Sequence, residues 1–502
     1  MNPPVIHPLL LSELLWSVAS YVQPRDYHSC GLVCKAWNAS FNTLIWDSCV
    51  VDHSIDARSP ISAETLRSHA HLIHTLTHRG PIPPEYFLIQ YPNLKTLRIH
   101  AETLTFGEDK KYDTKAAMEM WLGVAMLIRD TSTLTTVELS PNRCVLANRV
   151  WNSIEGNSTV TTLRLSNFDV NYERQARIFW RACTTLETLE MEHCFVYSRR
   201  RSNGCVPDSF PRMKEIKLQD LRLRSGNLIR TMANSPQLLS LFWRGGRAQD
   251  WFRIREIHNG LEATTGFLSL ESLDLSSSNL ADVDISQIIR GMKKPIVKLG
   301  LVKTGAGSLT IEALGPHLRT IQGLDFRGCY QVKSHDIIMF LRSCPNLISL
   351  KAGMLHASDM EEDERWACED NLRVLYVHIR VSLDEDESRY VFTCLSRLTL
   401  LQEFDIARYG YTFLSVDDII KRPLQFRLNC GLGQLSTLSR MERLSFGANG
   451  QAMTMDEGLW IKRHWRRLKT IQGKFSADNR SQKSLRKLFR EEAKPNPIGV
   501  AS

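Results

Sequence analysis

The 502 residues contain no apolar run approaching the roughly 20 residues that a membrane-spanning helix needs. The opening residues lack a basic leader, and His7 and Glu13 interrupt their apolar stretch, so no signal peptide is expected. There is no dense cysteine framework. Twelve cysteines are scattered along the chain, which fits free thiols in a reducing compartment, cytoplasmic and/or nuclear. Gly-x-Ser-x-Gly, a P-loop and His-Glu-x-x-His are also missing, so no catalytic role and no cofactor are expected. With 43% hydrophobic and 23% charged residues, the chain is not a wholly disordered one. Its length exceeds one compact core and asks for several domains or a repeat array.

The formal charge of +9 is not spread evenly. Residues 461–490 hold 11 Lys and Arg against the single acid Asp478, so the remainder sums to −1. Residues 359–370 carry seven acids and one Arg, and four further acids follow at 384–387.

One apolar pattern organises most of the chain: apolar, two variable, apolar, one variable, apolar. Leu94/Leu97/Ile99, Leu134/Val137/Leu139, Leu186/Leu189/Met191, Leu270/Leu273/Leu275 and Met441/Leu444/Phe446 are examples, with degenerate copies at Ile73/Leu76 and Leu468/Ile471. From Val137 to Leu241 the middle residues are separated by 26, 26, 27 and 25 residues. From Leu273 to Leu375 the intervals are 26, 25, 26 and 25. Such constancy marks an internal repeat. The last two apolar positions lie two apart, so both point to one side of a short strand, which only stacked neighbours can bury. The interval of 40 residues between Leu97 and Val137 implies an insertion, read as a helix with Ala117, Trp121, Val124 and Ile128 on one face. Val283, Ile285, Ile288 and Ile289 give another helical pattern between copies.

The pattern resembles the leucine-rich repeat family over residues 72–474, which implies an α/β solenoid with a parallel sheet on its concave face. Cys183 and Cys344 stand three residues before a copy, and Cys194 and Cys329 three after a strand. This resembles the cysteine-containing subclass, in which thiols pack as small apolar groups.

Residues 8–50 fall outside the period. Leu9, Leu11, Leu14, Leu15, Val18 and Val22 recur at helical spacing up to Pro24; a second helix can start near Arg25 and Asp26, and a third can run from Val33 to Trp46. Three short helices bury little, which leaves apolar surface for a partner. Glu13-Leu14-Leu15, Tyr21-Val22, Asp26, Val33-Cys34-Lys35-Ala36-Trp37 and Trp46 resemble the F-box, with Leu11 where that family carries Pro. The resemblance implies docking to the adaptor subunit of an SCF-type cullin–RING ubiquitin ligase, and through it to the cullin scaffold. Leu11, Leu14, Leu15, Val18 and Val22, then Leu32, Val33, Cys34 and Trp37, would supply either that contact or the small internal core. The expected organisation is a helical domain over 1–50, a connector over 51–71, the solenoid over 72–474 and a basic tail over 475–502.

His69, His71, His74 and His78 are dense enough to suggest a metal site, but no acid or cysteine completes a ligand set, so no metal is expected. Gly305-Ala-Gly307 reads as a turn. The stretch from Lys462 to Arg467, interleaved with Trp460, Trp465 and Phe475, admits nucleic-acid binding, a nuclear-import patch, or a cap on the last repeat.

The residue between the last two apolar positions should face out of the sheet. These are Arg98, Glu138, Arg164, Glu190, Lys217, Phe242, Asp274, Gly300, Asp325, Lys351, Tyr376, Asp405 and Ser445. Both signs and two aromatics fit a protein partner better than a phosphate backbone, so nucleic acid is not the expected target and no membrane is. Arg164, Glu190, Lys217, Phe242, Asp274, Lys351 and Tyr376 are the candidate target contacts, with Phe242 and Lys217 as the preferred anchor. The expected role is a non-catalytic substrate receptor. A repeat scaffold uncoupled from ubiquitin transfer is the alternative.

Overall fold

The computed structural model describes residues 12–53, 60–101, 114–141, 148–170, 172–196, 206–223, 227–245, 267–360, 365–382, 385–407, 422–446 and 450–490. The chain divides into two compact units, one running to Gln237 and the other starting at Leu238. Among the described residues, no helix is long and apolar enough to cross a membrane.

The first unit opens with helices α1 (Ser12–Ala19), α2 (Tyr27–Gly31) and α3 (Lys35–Asp47), and α3 runs directly into strand β1 (Ser48–Asp52). The sheet continues through β2 (Thr75–Arg79), β3 (Thr96–His100), β4 (Thr136–Ser140), β5 (Thr162–Ser166), β7 (Thr188–Glu192) and β9 (Glu215–Gln219), each parallel to the last. Register places Leu76, Leu97, Val137, Leu163, Leu189 and Ile216 side by side, and all are buried. The next inward row is Val51, His78, Ile99, Leu139, Leu165, Met191 and Leu218. At ~1.5–3 kcal/mol for each fully buried aliphatic side chain, the aliphatic members of these two rows make a large favourable contribution to the unit. The ladder thus begins at Ser48, inside the segment read above as helical domain and ahead of the expected connector. Cys49 and Val51 are its buried pair, too short a pattern to match the repeat.

Helices α4 (Ala63–His69), α5 (Thr114–Asp130), α6 (Asn148–Gly156), α7 (Glu173–Ala182) and α8 (Asn227–Ala233) lie between the strands, with α5 packed on α6 and α6 on α7. Trp121, Val124 and Ile128 of α5 are buried as expected. Trp151 of α6 meets Phe179 of α7 at 5.0 Å and Phe168 at 5.1 Å, so aromatic rings fill the space between consecutive copies. Short strands β6 (Asp169–Val170), β8 (Phe195–Val196) and β10 (Arg222–Leu223) make a second parallel sheet just after the main one.

In the second unit β11 (Ser240–Arg244), β12 (Ser272–Asp274), β13 (Lys298–Gly300), β14 (Gly323–Asp325), β15 (Ser349–His356), β16 (Val374–Val381), β17 (Glu403–Asp405), β19 (Arg443–Ser445) and β20 (Thr470–Gln472) form a parallel succession. Among the described residues only β18 (Arg422–Pro423) is antiparallel, against the end of β16. Leu241, Leu273, Leu299, Leu324, Leu350, Leu375, Phe404, Leu444 and Ile471 stand in one register row. The helices are α9 (Asp282–Arg290), α10 (Ser308–Ala313), α11 (Ser334–Ser343), α12 (Glu385–Ser396), α13 (Met455–His464) and α14 (Asn479–Arg490). The last of these lies where a basic tail was expected: Leu485 is buried, facing Gly458 of α13. Parallel strands alternating with helices give each unit an α/β form compatible with a solenoid.

The turn out of each strand has its own rule. Gly80, Asn167, His193, Asp220, Gly245, Ser277, Lys303 and Gly328 all have φ between 49° and 78°, and each stands three residues after an outward-facing strand residue. A non-glycine residue there costs about 1–2 kcal/mol. The return is a backbone bond to the next copy, as from Asn167 N to Glu192 O and from His193 N to Gln219 O, both 2.9 Å.

Asp282, the first residue of α9, ties one copy to the next. Its carboxylate accepts from the amides of Gly307 at 2.8 Å and of Leu309 and Thr310 at 2.9 Å, the otherwise unpaired donors at the start of α10. Burial pushes this carboxyl up, but the bonds from Thr310, Leu309 and Gly307 outweigh it and hold it below its ordinary value. The carboxylate's contribution is therefore present above about pH 4 and is lost as pH falls through the depressed value. Asp282→Ala should lower stability by about 1–3 kcal/mol at neutral pH, with the gap to the parent narrowing in acid, read from denaturant midpoints.

His78 occupies a buried apolar position in register with Ile99, and neither ring nitrogen has a hydrogen-bond partner. Burial, and then repulsion from His53, push its imidazole down to about 3. The unfolded chain binds the proton near about pH 6.5, so stability declines as pH falls below that value. His78→Leu should raise the denaturant midpoint and reduce its loss between neutral pH and about pH 5, where imidazoles titrate; His53 and His317, also pushed down by burial, keep part of that slope. An unchanged acid slope would place the effect elsewhere.

Candidate functional site

The three amino-terminal helices fold on a very small core. Leu15 and Ala19 of α1 and Phe41 of α3 are buried, with Tyr27, Cys30, Trp37 and Leu44 packed against them. Trp37 stacks on Phe41 at 5.4 Å and Tyr27 tilts onto it at 5.7 Å. The Asn38 amide donates to Gly31 O at 3.1 Å and fixes α3 against the end of α2.

This core cannot cover what surrounds it. Leu32 is 73% exposed, Tyr21 72%, Val33 63%, Trp16 49% and Leu14 41%, and Cys34 is exposed as well. With Val50 at 44%, six large apolar side chains stand in solvent on about 40 residues, far more than scattered surface leucines. Residues 12–51 match the F-box-like family. The match ends within β1, so the F-box-like domain and the repeats share that strand. No curated protein matches the chain.

Within the F-box-like domain the geometry sorts the nine residues read above. Leu14, Leu32, Val33 and Cys34 are exposed, while Val18, Val22 and Trp37 are half-buried. Leu15 is a correction: at 1% exposure it belongs to the bundle's own core and has no surface to offer a partner. Leu11 lies outside the described residues. Trp16 and Tyr21 are exposed aromatics outside the stripe read above: Trp16 sits off its helical spacing, and Tyr21 lies beyond the end of α1.

On the sheet of the first unit the outward row is Thr77, Arg98, Glu138, Arg164, Glu190 and Lys217, in register. Neighbouring strands lie about 4.8 Å apart, so like charges in this row would repel and opposite ones pair. They pair: Arg98 lies 3.2 Å from Glu138, Arg164 2.9 Å from Glu190, and Lys217 2.9 Å from the same Glu190. The bond to Glu190 raises the Lys217 ammonium above its ordinary value.

The outward row of the second unit runs Phe242, Asp274, Gly300, Asp325, Lys351, Tyr376, Asp405, Ser445 and Gln472. Phe242 is no bare aromatic. The Arg244 guanidinium sits 4.3 Å over its ring and bonds Asp274 at 2.8 Å. Gly300 makes room for that carboxylate, since a Cβ there would come within 2.7 Å of it. Asp325 holds Arg327 through two bonds of 2.9 and 2.7 Å. Lys351 lies 4.8 Å over the Tyr376 ring, whose hydroxyl donates to Glu403 at 2.5 Å. Burial, and then that bond, push the Tyr376 phenol up to about 12.

The four histidines do not converge: His78 is in the core, and His69 stacks on Trp46 at 4.1 Å. Among the described residues no group of three His, Cys, Asp or Glu could hold a metal ion. The thiols of Cys194 and Cys344 are pushed up to about 12, chiefly by burial, which leaves them protonated packing groups. The 197–205 stretch with its arginines lies outside the described residues, as do 361–364 and Asp384 of the acidic clusters.

Core and surface in the F-box-like domain separate by experiment. Leu15→Ala should cost about 2–4 kcal/mol by denaturant unfolding, because it removes a fully buried side chain. Leu32→Asp with Val33→Asp should leave the unfolding midpoint within about 0.5 kcal/mol of the parent.

Proposed function

We propose that this chain is the substrate-recognition subunit of an SCF-type cullin–RING ubiquitin ligase: the F-box-like domain docks to the adaptor, and leucine-rich repeats hold a protein target. The observation that carries the reading is the exposed apolar set on the F-box-like domain. Leu14, Leu32, Val33 and Cys34 would form the adaptor contact, with Val18, Val22 and Trp37 at its margin and Trp16 and Tyr21 as further contacts. Leu15 would position them from below. Hot spots concentrate in aromatic and aliphatic side chains that a partner can fully desolvate.

The chain performs no bond chemistry in this reading. By holding a target beside a ubiquitin carrier it raises effective concentration, in the cytoplasm and/or nucleus. The join between α3 and β1 supports that task. Asp47 ends the helix and Ser48 begins the strand, while His74 N donates to Asp47 O at 3.0 Å. No linker residue separates docking helix from sheet, so a target on the first unit would be carried at a set orientation to the adaptor.

On the sheet faces, Arg164, Glu190, Lys217, Phe242, Asp274, Lys351 and Tyr376 remain the proposed target contacts. Their mutual pairing supports a rigid, pre-ordered surface, which lowers the entropic cost of binding.

Purified adaptor captured by the full chain tests the proposal. Leu32→Asp with Val33→Asp should lower recovery at least about tenfold, a loss of roughly 1.4 kcal/mol or more, with folding retained. Equal recovery would reject the docking role and leave a repeat scaffold without ubiquitin transfer.

A further inference from the structure

The last strand of the second unit borders a groove of about 690 Å³, within the range of about 300–1,000 Å³ typical of ligand sites. Lys462, Arg466, Arg467 and Lys469 line it, with Glu442 as the one carboxylate. That carboxylate is already engaged, at 2.7 Å from Lys469. Among the described residues, Arg466 and Arg467 make no ion pair within 4 Å, although Arg467 acts on Glu442 from farther away, and both are exposed. The floor is apolar: Trp465 is 1% exposed, and Ile471 and Phe489 are half-buried beside it.

One wall is a sheet edge. In β20, Thr470 N donates to Glu442 O at 3.2 Å, and Gln472 O accepts from Phe446 N at 2.9 Å. Alternate residues of a strand present their backbone groups to opposite sides, so the N–H and C=O of Ile471 point away from β19. Among the described residues no strand pairs with that side. The edge is a template for one more strand, and the arginines beside it are devices that keep such an edge from pairing indiscriminately.

We infer that this groove binds an extended acidic peptide segment of a partner protein, which adds a strand to the free edge of β20 while its carboxylates reach Arg466 and Arg467. Added strands take affinity from main-chain bonds and selectivity from alternate side chains, and both are provided for here. A nucleic acid would use the charges but not the Ile471 amide and carbonyl. Single strands also call for exposed aromatic platforms, whereas the Trp465 ring is covered and its Nε1 donates to Leu435 O at 3.1 Å. The site goes beyond the ligase reading and does not rest on it, since it is measured on this chain alone.

The test is fluorescence anisotropy of a labelled peptide of about eight residues, a typical strand length, alternating Glu and Thr, titrated with the purified full chain. Binding should weaken at least about tenfold with Arg466→Glu plus Arg467→Glu, and fall steeply between about 50 and 300 mM salt. The same peptide N-methylated at its central amides should lose a similar factor. A variant that fails to fold, judged by circular dichroism, shifts the decision to the methylated peptide, which leaves the protein untouched. Equal binding of the methylated peptide, indifference to the charge reversals, or tighter binding of a single-stranded oligonucleotide of equal charge each overturns the proposal.

Discussion

Each copy of the repeat carries two apolar side chains on one side of a strand three to eight residues long, and neither can be buried by that strand alone. Every other feature of the sheets follows from this need for neighbours. Register must be kept, because a slip of one residue would turn the whole apolar row to solvent. Connector length is free by comparison, since loop closure costs grow only with the logarithm of length. That is why β3 and β4 stay in register, Leu97 beside Val137, across an interval far longer than the period.

Register also dictates the outward face. Once the strands stack, the residues between the apolar positions form a column at strand spacing, where two like charges are costly. The sequence Arg98, Glu138, Arg164, Glu190, Lys217 satisfies this by alternating sign. In the second unit the solution is different: Asp274 turns to Arg244 and Asp325 to Arg327, with the side-chain-free Gly300 between them. Under the proposed function a target would compete with bonds these groups already make. Exposed pairs of this kind are worth only about 0.2–1 kcal/mol each, so competition is affordable.

The middle apolar positions were legible in the sequence because their spacing is periodic and their chemistry uniform. The left-handed turn position was not, although it is as regular: Gly80, Asn167, His193, Ser277 and Lys303 share a conformation but no side-chain chemistry. β1 escaped because Cys49 and Val51 alternate over too few residues, and α14 because its basic composition hides Leu485. In the F-box-like domain the sequence could not separate Leu14 from Leu15. They are about 100° apart on the helix, and which one is covered depends on where Phe41 of α3 lands. Phe242 was legible as an outward aromatic, but its cover by Arg244 is a two-residue contact that strand alternation places on the same face without saying how the side chains fold over it.

The join at Asp47 and Ser48 bears most directly on function. The receptor role proposed above would gain nothing from a flexible hinge, because effective concentration falls as the tether lengthens. Here the third helix of the F-box-like domain becomes the first strand of the repeat sheet, Trp46 stacks on His69 across the junction, and Cys49 and Val51 are buried in the same rows as the repeat leucines. Bending at this point would break a strand pairing five residues long. The domain that is marginal by its own core, with only Leu15, Ala19 and Phe41 fully buried, is thus held in shape by the array it precedes. Its exposed leucine, valine and aromatic side chains can stay in solvent without unfolding it.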